Sequence, residues 1–319
     1  MTRPTNGGRR HLRVEELRRE AEGILSLRLT DPAGATLPAW APGSHIDLRL
    51  PSGIERQYSL CSDPADRVGW RIAVLREDNG RGGSREVHGT VRPGDLVEVS
   101  DPIDTFSFQP GQETVFVAGG VGITPILPMV RAVRASGLPW RLLYLGRSRE
   151  TMAYVNDPLL AHPRVDVFAA DEGRRADLRT ELGTLAPGTA VFACGPARLL
   201  DAMEDVATDW PARTLRVERF HAKPLAAPVS TDAFEVDARR SGLTVTVEPG
   251  CSILDTLERA GISVPNSCRE GVCGTCETTI VDGAADHRDS ILSPEEREEN
   301  ETMMICVSRS IESRLVLDI

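Results

Sequence analysis

Short apolar runs broken by Gly and Pro fill the first hundred residues of the chain. Residues 24–29, 45–50, 58–60, 70–74 and 96–99 have β character, and Pro42-Gly43, Pro51-Ser52-Gly53, Gly80 to Gly83 and Pro93-Gly94 separate them. This punctuation predicts a small antiparallel β-barrel over residues 1–108. From 109 to 220 the pattern changes. An all-apolar run at 115–118 enters a Gly-rich turn and a helical stretch at 126–135, and 141–145, 165–168, 190–193 and 215–217 are further strand candidates. Continuous apolar strands indicate a parallel sheet covered on both faces, an α/β domain. Residues 221–231, with two prolines and little to bury, read as a linker. Over 232–319 the pattern predicts a hairpin at 234–238 and 243–247, then an amphipathic helix at 252–260 capped by Ser252, then a cysteine-bearing loop and more strands. The fold class is multidomain α+β.

Composition narrows the function. With 319 residues, 40% hydrophobic and 26% charged, the chain has ample material for buried cores. No apolar run approaches the roughly 18–20 residues of a spanning helix, and no apolar stretch follows the basic first ten residues, so no membrane partner and a cytoplasmic location are expected. The net charge of −10 sits wholly at one end: from Thr231 onward 18 acids face 8 arginines, while the rest of the chain balances at 29 of each. Nucleic acid is therefore an unsuitable partner, and a basic protein surface a suitable one.

The seven cysteines are unevenly spread. Cys61, Cys194 and Cys251 are scattered, whereas Cys268-x4-Cys273-x2-Cys276 is followed, after 29 intervening residues, by Cys306. That is the plant-type [2Fe–2S] spacing, with three thiolates from one loop and the fourth from a distant segment. Two glycines in the loop, Gly271 and Gly274, allow the tight turns that aim amides at sulfur. A structural zinc site is the alternative, although zinc usually takes its thiolates from two paired knuckles.

The last 88 residues resemble a plant-type ferredoxin domain, and His287-Arg288-Asp289-Ser290-x-Leu292-Ser293 with Met304-Ile305-Cys306-Val307-Ser308-Arg309 resembles the C-terminal part of the phthalate dioxygenase reductase family. The resemblance implies a flavin-binding β-barrel, a nicotinamide-binding α/β domain and a C-terminal β-grasp ferredoxin. It implies FMN, with FAD as the alternative, and NADH, with NADPH as the alternative. The implied function is the reductase component of a multicomponent oxygenase or demethylase. Its partner would be a Rieske-type terminal oxygenase, or a cytochrome P450, docking near the acidic ferredoxin domain.

The other two segments carry matching motifs. Arg56-Gln57-Tyr58-Ser59 fits the R-x-Y-S flavin motif of the ferredoxin-reductase superfamily. By resemblance Arg56 serves the flavin phosphate, Tyr58 the ring and Ser59 its N5 edge. Gly80-Arg81-Gly82-Gly83-Ser84 precedes a short predicted helix and offers a phosphate cradle with Arg81, a plain surface turn being the alternative. Gly119-Gly120-Val121-Gly122-Ile123-Thr124 follows a strand and opens a helix, where glycines let a pyrophosphate approach the backbone. By resemblance this turn and Cys194-Gly195-Pro196 border the nicotinamide, with Cys194 near its reactive carbon, and Glu218 and Phe220 face the flavin. For the 2′ position, Arg147-Ser148-Arg149 favours a phosphate and Asp171-Glu172 opposes one.

Overall fold

A computed structural model describes residues 8–225 and 227–319; the first seven residues of the basic start, and Ala226 of the expected linker, lie outside it. The chain divides into two compact units, one ending at Glu218 and one beginning at Arg219.

The first unit begins with a seven-stranded antiparallel sheet. Its strands are β1 (Arg9–Ala21), β2 (Ile24–Thr30), β3 (Ser44–Arg49), β4 (Glu55–Ser59), β5 (Gly69–Leu75), β6 (Leu96–Ser100) and β7 (Ile103–Asp104), with a short helix α1 (Gly83–Gly89) before β6. The order is β4-β3-β6-β1-β2-β5, and an antiparallel bridge from Leu60 to Ile72 ties the end of β4 to β5 and closes the barrel. Leu12, Leu27, Leu29, Ile46, Leu48, Trp70, Ile72 and Val99 fill it. Strand β1 is not expected from the sequence pattern. Its Leu12 and Val14 alternate inward, but register shifts between Val14 and Glu16 and between Arg19 and Ala21 break the period, and five arginines mask it.

The same unit continues as a five-stranded parallel sheet, order β10-β9-β8-β11-β12. It comprises β8 (Glu113–Gly119), α2 (Ile123–Ser136), β9 (Trp140–Gly146), β10 (Val165–Ala169), α3 (Leu178–Leu182), β11 (Thr189–Cys194), α4 (Ala197–Ala207) and β12 (Leu215–Glu218). Two buried clusters, one on each face, explain the all-apolar strands. Barrel and sheet share one core: Ala21, Ile24, Cys61 and Ala73 pack in the same cluster as Phe116, Ile126 and Phe192. Phe106 and Phe108, at the junction, stack edge-on against Phe192 at 5.7 and 5.1 Å. Buried aromatic contact of this kind makes the junction near residue 108 a joint rather than a hinge.

The second unit holds β13 (Phe234–Ala238), β14 (Leu243–Val247), α5 (Ile253–Arg259), β15 (Glu277–Asp282), β16 (Ala285–Asp286), α6 (Pro294–Glu299), β17 (Thr302–Met304), β18 (Arg309–Ser310) and β19 (Arg314–Leu317). Its main sheet runs β14-β13-β19-β15-β17, with β13 and β19 parallel, and β16 pairs with β18. Ile253, Leu254 and Leu257 of α5 pack with Val236, Ala238 and Leu315. Ser252 caps α5 by accepting the amide of Asp255 at 3.0 Å, as its spacing suggests. No helix among the described residues is long and apolar enough to cross a membrane.

Candidate functional site: a buried carboxyl at a sheet edge and a four-thiol loop

At the C-terminal edge of the parallel sheet, β11 and β12 end side by side, with Cys194 opposite Glu218 in register. Ser59, last residue of β4, reaches the same point from the barrel. Its hydroxyl donates to Glu218 Oε2 at 3.4 Å, and the Cys194 thiol donates to the same oxygen at 3.8 Å. Burial lifts the Glu218 carboxyl to about 8, further raised by Asp104 and only partly opposed by the two donors. At neutral pH it is therefore mostly protonated. Burial and the neighbouring Glu218 also push the Cys194 thiol well up, so it stays a thiol. The site thus collects three protonated groups on one line of contact.

Arg56, on β4, donates from Nη2 to the carbonyl of Arg81 at 2.9 Å and from Nη1 to that of Glu55 at 2.6 Å. Gly82 sits at φ 90° and leads into α1, whose start has no side-chain cap. A Cβ at Gly83 would stand 2.8 Å from Arg56 Cγ, so glycine lets the arginine stem lie on the loop. Ser84 accepts the amide of Glu77 through Oγ at 3.0 Å, fixing the loop's far side. The Tyr58 phenol is raised to about 12 by burial and packs against the barrel core. Arg56, Arg81, Gly82, Gly83 and Ser84 are accordingly brought together, and the basic, side-chain-poor cradle they form fits a phosphate.

The glycines of the second turn divide by role. A Cβ on Gly119 would stand 2.7 Å from Leu199 and Pro196, and one on Gly122 would overlap the Cys194 carbonyl and stand 2.6 Å from the Gly195 nitrogen. Gly195 lies against Gly119 in turn. These three glycines let the two turns pack on each other; only Gly120, at φ 54°, faces open space. Thr124 is buried and donates its hydroxyl to the Val121 carbonyl at 2.9 Å, which closes the turn from inside. Tyr144, which the sequence reading does not single out, donates to the carbonyls of Gly120 at 3.1 Å and Ala153 at 2.8 Å. A tyrosine inside an otherwise aliphatic strand is the signal that would find it. Gly122→Ala is expected to destabilise the protein by roughly 1–3 kcal/mol, because backbone cannot yield to the methyl group. Thermal unfolding reads the effect, and a variant within about 0.5 kcal/mol of wild type would contradict this account of the turn.

Arg149 donates to Glu172 Oε1 at 2.7 Å, and the Asp171 amide bonds to the Arg147 carbonyl at 3.0 Å. The two sequence signals for the 2′ position therefore meet, and one arginine is spent on an acid. Phe220 falls in the second unit and is 37% exposed. Cys61 lies apart from the Ser59, Cys194 and Glu218 group: it lines a cavity of about 530 Å³ with Arg71, Tyr154 and Asp157, and its buried thiol is raised to about 12.

In the second unit the loop after α5 carries Cys268, Cys273 and Cys276, and Cys306 follows β17. All four are free thiols; Cys273, Cys276 and Cys306 are buried and Cys268 is half-buried. Hydrogen bonding links Cys268 with Cys273 and Cys306, and Cys276 with Cys306; it pulls Cys268 and Cys276 down and pushes Cys273 and Cys306 up. The amides of Cys268 and Glu270 point at the sulfurs of Cys273 and Cys268, at 3.4 and 3.3 Å. Among the described residues no three His, Cys, Asp or Glu side chains converge on a single ion position. Thiols touching as Cys268 with Cys273 and Cys276 with Cys306, with backbone amides aimed at sulfur, suit a two-iron cluster ligated in pairs.

The loop is held by Arg269, at φ 57°, which bonds Asp255 at 3.0 Å and Glu258 at 2.5 Å on α5 and Asn266 at 3.1 Å. On the other side Gly271, at φ 72°, lets Asp289 approach: a Cβ there would lie 3.1 Å from Asp289 Cα. Arg269 was legible only as part of the loop; its role depends on α5 lying beside it.

Comparison with known proteins agrees with this geometry. The 2Fe-2S iron-sulfur cluster binding domain family matches residues 236–310. Phenoxybenzoate dioxygenase subunit beta of Ectopseudomonas oleovorans is 41% identical over 97% of each chain, and phthalate dioxygenase reductase of Burkholderia cepacia 38% identical over the whole of both. The solved phthalate dioxygenase reductase, a modular structure for electron transfer from pyridine nucleotides to [2Fe-2S], superposes with a TM-score of 0.69 at 37% identity, covering 98% of each chain. An intact type IV self-sufficient cytochrome P450 monooxygenase matches 98% of this chain with a TM-score of 0.90 at 40% identity, and this chain spans only 41% of it. Similar from end to end to phthalate dioxygenase reductase in sequence and in fold, the chain belongs to the phthalate dioxygenase reductase family.

Proposed function

We infer that this chain is an NADH-oxidising flavin iron–sulfur reductase that supplies electrons to a terminal oxygenase. The observation that carries the reading is the meeting of Ser59, Cys194 and Glu218 at one sheet edge, in a chain that also holds the four-thiol loop. Arg56, Arg81 and the Gly82–Ser84 loop would hold the FMN phosphate and Tyr58 and Ser59 would flank its ring; bound flavin would supply the exchange between a two-electron donor, NADH, and a one-electron acceptor, the cluster.

The chain's own groups set up that exchange. The turns of Gly119, Gly120, Gly122 and Thr124 and of Cys194, Gly195 and Pro196 would border the dinucleotide, with Cys194 on the nicotinamide side. Ser59 and protonated Glu218 supply hydrogen-bond donors where electron density arrives. Arg149 being paired with Glu172, and Asp171 adjoining it, supports NADH over NADPH. Cys268, Cys273, Cys276 and Cys306 hold the cluster. An anaerobic visible spectrum, taken before and after NADH and then NADPH, tests this: flavin and [2Fe–2S] bands bleached by NADH support it, and a spectrum without flavin overturns it.

Relatives named as dioxygenase subunits support a dioxygenase as acceptor, and the P450 chain matched above supports a haem monooxygenase as a second reading. Reconstitution with each acceptor separates them. We place docking at the acidic unit, where Glu298, Glu299 and Glu301 are exposed on or beside α6, and Arg297 ties that helix to Asp289, which touches the cluster loop. Raising salt from about 50 to 500 mM is then expected to raise the KM for the acceptor roughly tenfold or more with kcat unchanged. A salt-independent KM would remove the electrostatic docking.

A further inference from the structure

Tyr144 stands on β9 in register with Ala118 of β8, just before the glycine turn begins, and is wholly buried. Its hydroxyl carries one proton and meets two carbonyls, those of Gly120 at 3.1 Å and Ala153 at 2.8 Å. Burial pushes the phenol up, so it keeps that proton and stays a donor. Ala153 is a firm anchor. The Met152 amide before it bonds the Arg149 carbonyl at 3.2 Å, and the Tyr154 hydroxyl after it meets the Cys61 thiol at 3.3 Å. Gly120 has no such steric support: it sits at φ 54°, and a Cβ there would meet nothing within 4 Å. Its carbonyl is held instead by hydrogen bonds, from the Tyr144 hydroxyl and from the Ile123 amide at the start of α2. In a trans peptide the carbonyl and the following N–H point in opposite directions. With the Gly120 carbonyl drawn towards Tyr144, the Val121 N–H is turned away from Tyr144 and the core around it.

We propose that Tyr144 is a positioning residue that holds the Gly120–Val121 peptide with its N–H outward, the orientation in which this turn accepts the pyrophosphate of a dinucleotide. This rests on the reductase reading above, in which the turn borders that ligand. The reversed peptide would offer the phosphates a carbonyl oxygen in place of an N–H, exchanging attraction for repulsion. Reversal needs only opposite rotations about ψ of Gly120 and φ of Val121, and glycine permits the first. Tyr144 biases that choice from inside the core, without touching the dinucleotide. A ligand whose binding-competent conformation is only partly populated binds more weakly by that fraction, so the effect of Tyr144 falls on KM and not on kcat.

The test compares full-length Tyr144→Phe with wild type, using two electron donors. Phenylalanine keeps the ring in the core and removes only the hydroxyl. With NADH, the KM for flavin bleaching is expected to rise roughly three- to tenfold, the worth of one hydrogen bond, with kcat within about twofold. With N-benzyl-dihydronicotinamide, a donor that carries no phosphate, KM and rate should both stay within about twofold. An unchanged KM for NADH overturns the proposal, as does an equal loss with both donors, which would make Tyr144 a general support of the site. Should Tyr144→Phe not fold, the Val121 amide resonance of the wild-type protein reads the same point. It is expected to shift downfield on adding ADP, which carries the pyrophosphate without nicotinamide, and an unmoved resonance overturns the outward N–H. Failure of the reductase reading shows separately, as a wild-type protein that neither donor bleaches.

Discussion

Replacing Cys306 by serine is expected to abolish the iron–sulfur spectrum and to cut delivery of electrons to a one-electron acceptor by at least roughly a hundredfold, while NADH should still bleach the flavin within about twofold of the wild-type rate. The magnitude follows from ligation. Losing a residue that only hydrogen-bonds to a metal's ligand costs roughly 10- to 100-fold in affinity, and a thiolate bonded to the iron itself carries more than that. Cys306 is also the ligand with no local substitute: Cys268, Cys273 and Cys276 share one loop, whereas Cys306 comes from the turn after β17 and is the only sulfur bonded to both Cys268 and Cys276. The spared half-reaction follows from placement, because Ser59, Cys194 and Glu218 belong to the first unit and Cys306 to the second. Visible spectra and stopped-flow bleaching measure the two halves separately. A Cys306→Ser protein with an intact [2Fe–2S] spectrum would show that the four-thiol assignment is wrong, and one that also lost flavin reduction would show that the two centres are not separable.

That division also explains how much could be read before the fold was known. The cysteine loop stood out because its signal is local: nine residues from Cys268 to Cys276 hold three cysteines at a spacing few other sequences share. The barrel, the parallel sheet and the ferredoxin unit were legible as textures, and the family expectation, the fold class and the reductase function agree with the relatives found. Illegible were the features that depend on distant segments meeting. Ser59 and Glu218 lie 159 residues apart, and nothing in either neighbourhood announces the other. The glycines at 119, 122 and 195 suggested room for a pyrophosphate, yet much of the room they create is filled by the other turn. Strand β1 was hidden by its arginines and by two register shifts. The linker looked free because small residues and prolines bury little, and its amides proved to be anchored to side chains of the second unit.

Glu218→Gln is expected to erase a pH dependence that the wild-type protein carries in both stability and activity. The folded carboxyl titrates near 8 against an ordinary value of 4.5, since burial disfavours its charge. Between those two values the folded protein holds a proton that the unfolded chain has released, so stability falls as pH rises, by about 1.4 kcal/mol per unit at most. Below about 4.5 both states hold the proton, above about 8 neither does, and the contribution of Glu218 is flat at either end. Glutamine keeps the shape and cannot ionise. The variant should therefore gain on wild type progressively from pH 5 to 8 and by a constant amount above it, as denaturant unfolding at several pH values would record. The same ionisation places a negative charge beside Ser59 and Cys194, where electron density must arrive, so flavin reduction by NADH should slow above about pH 8 in wild type and stay level in Glu218→Gln. Parallel stability curves for the two proteins would mean that Glu218 is ionised across the neutral range. A shared inflection in flavin reduction would instead assign the titrating group to another residue and leave Glu218 a hydrogen-bonding partner only.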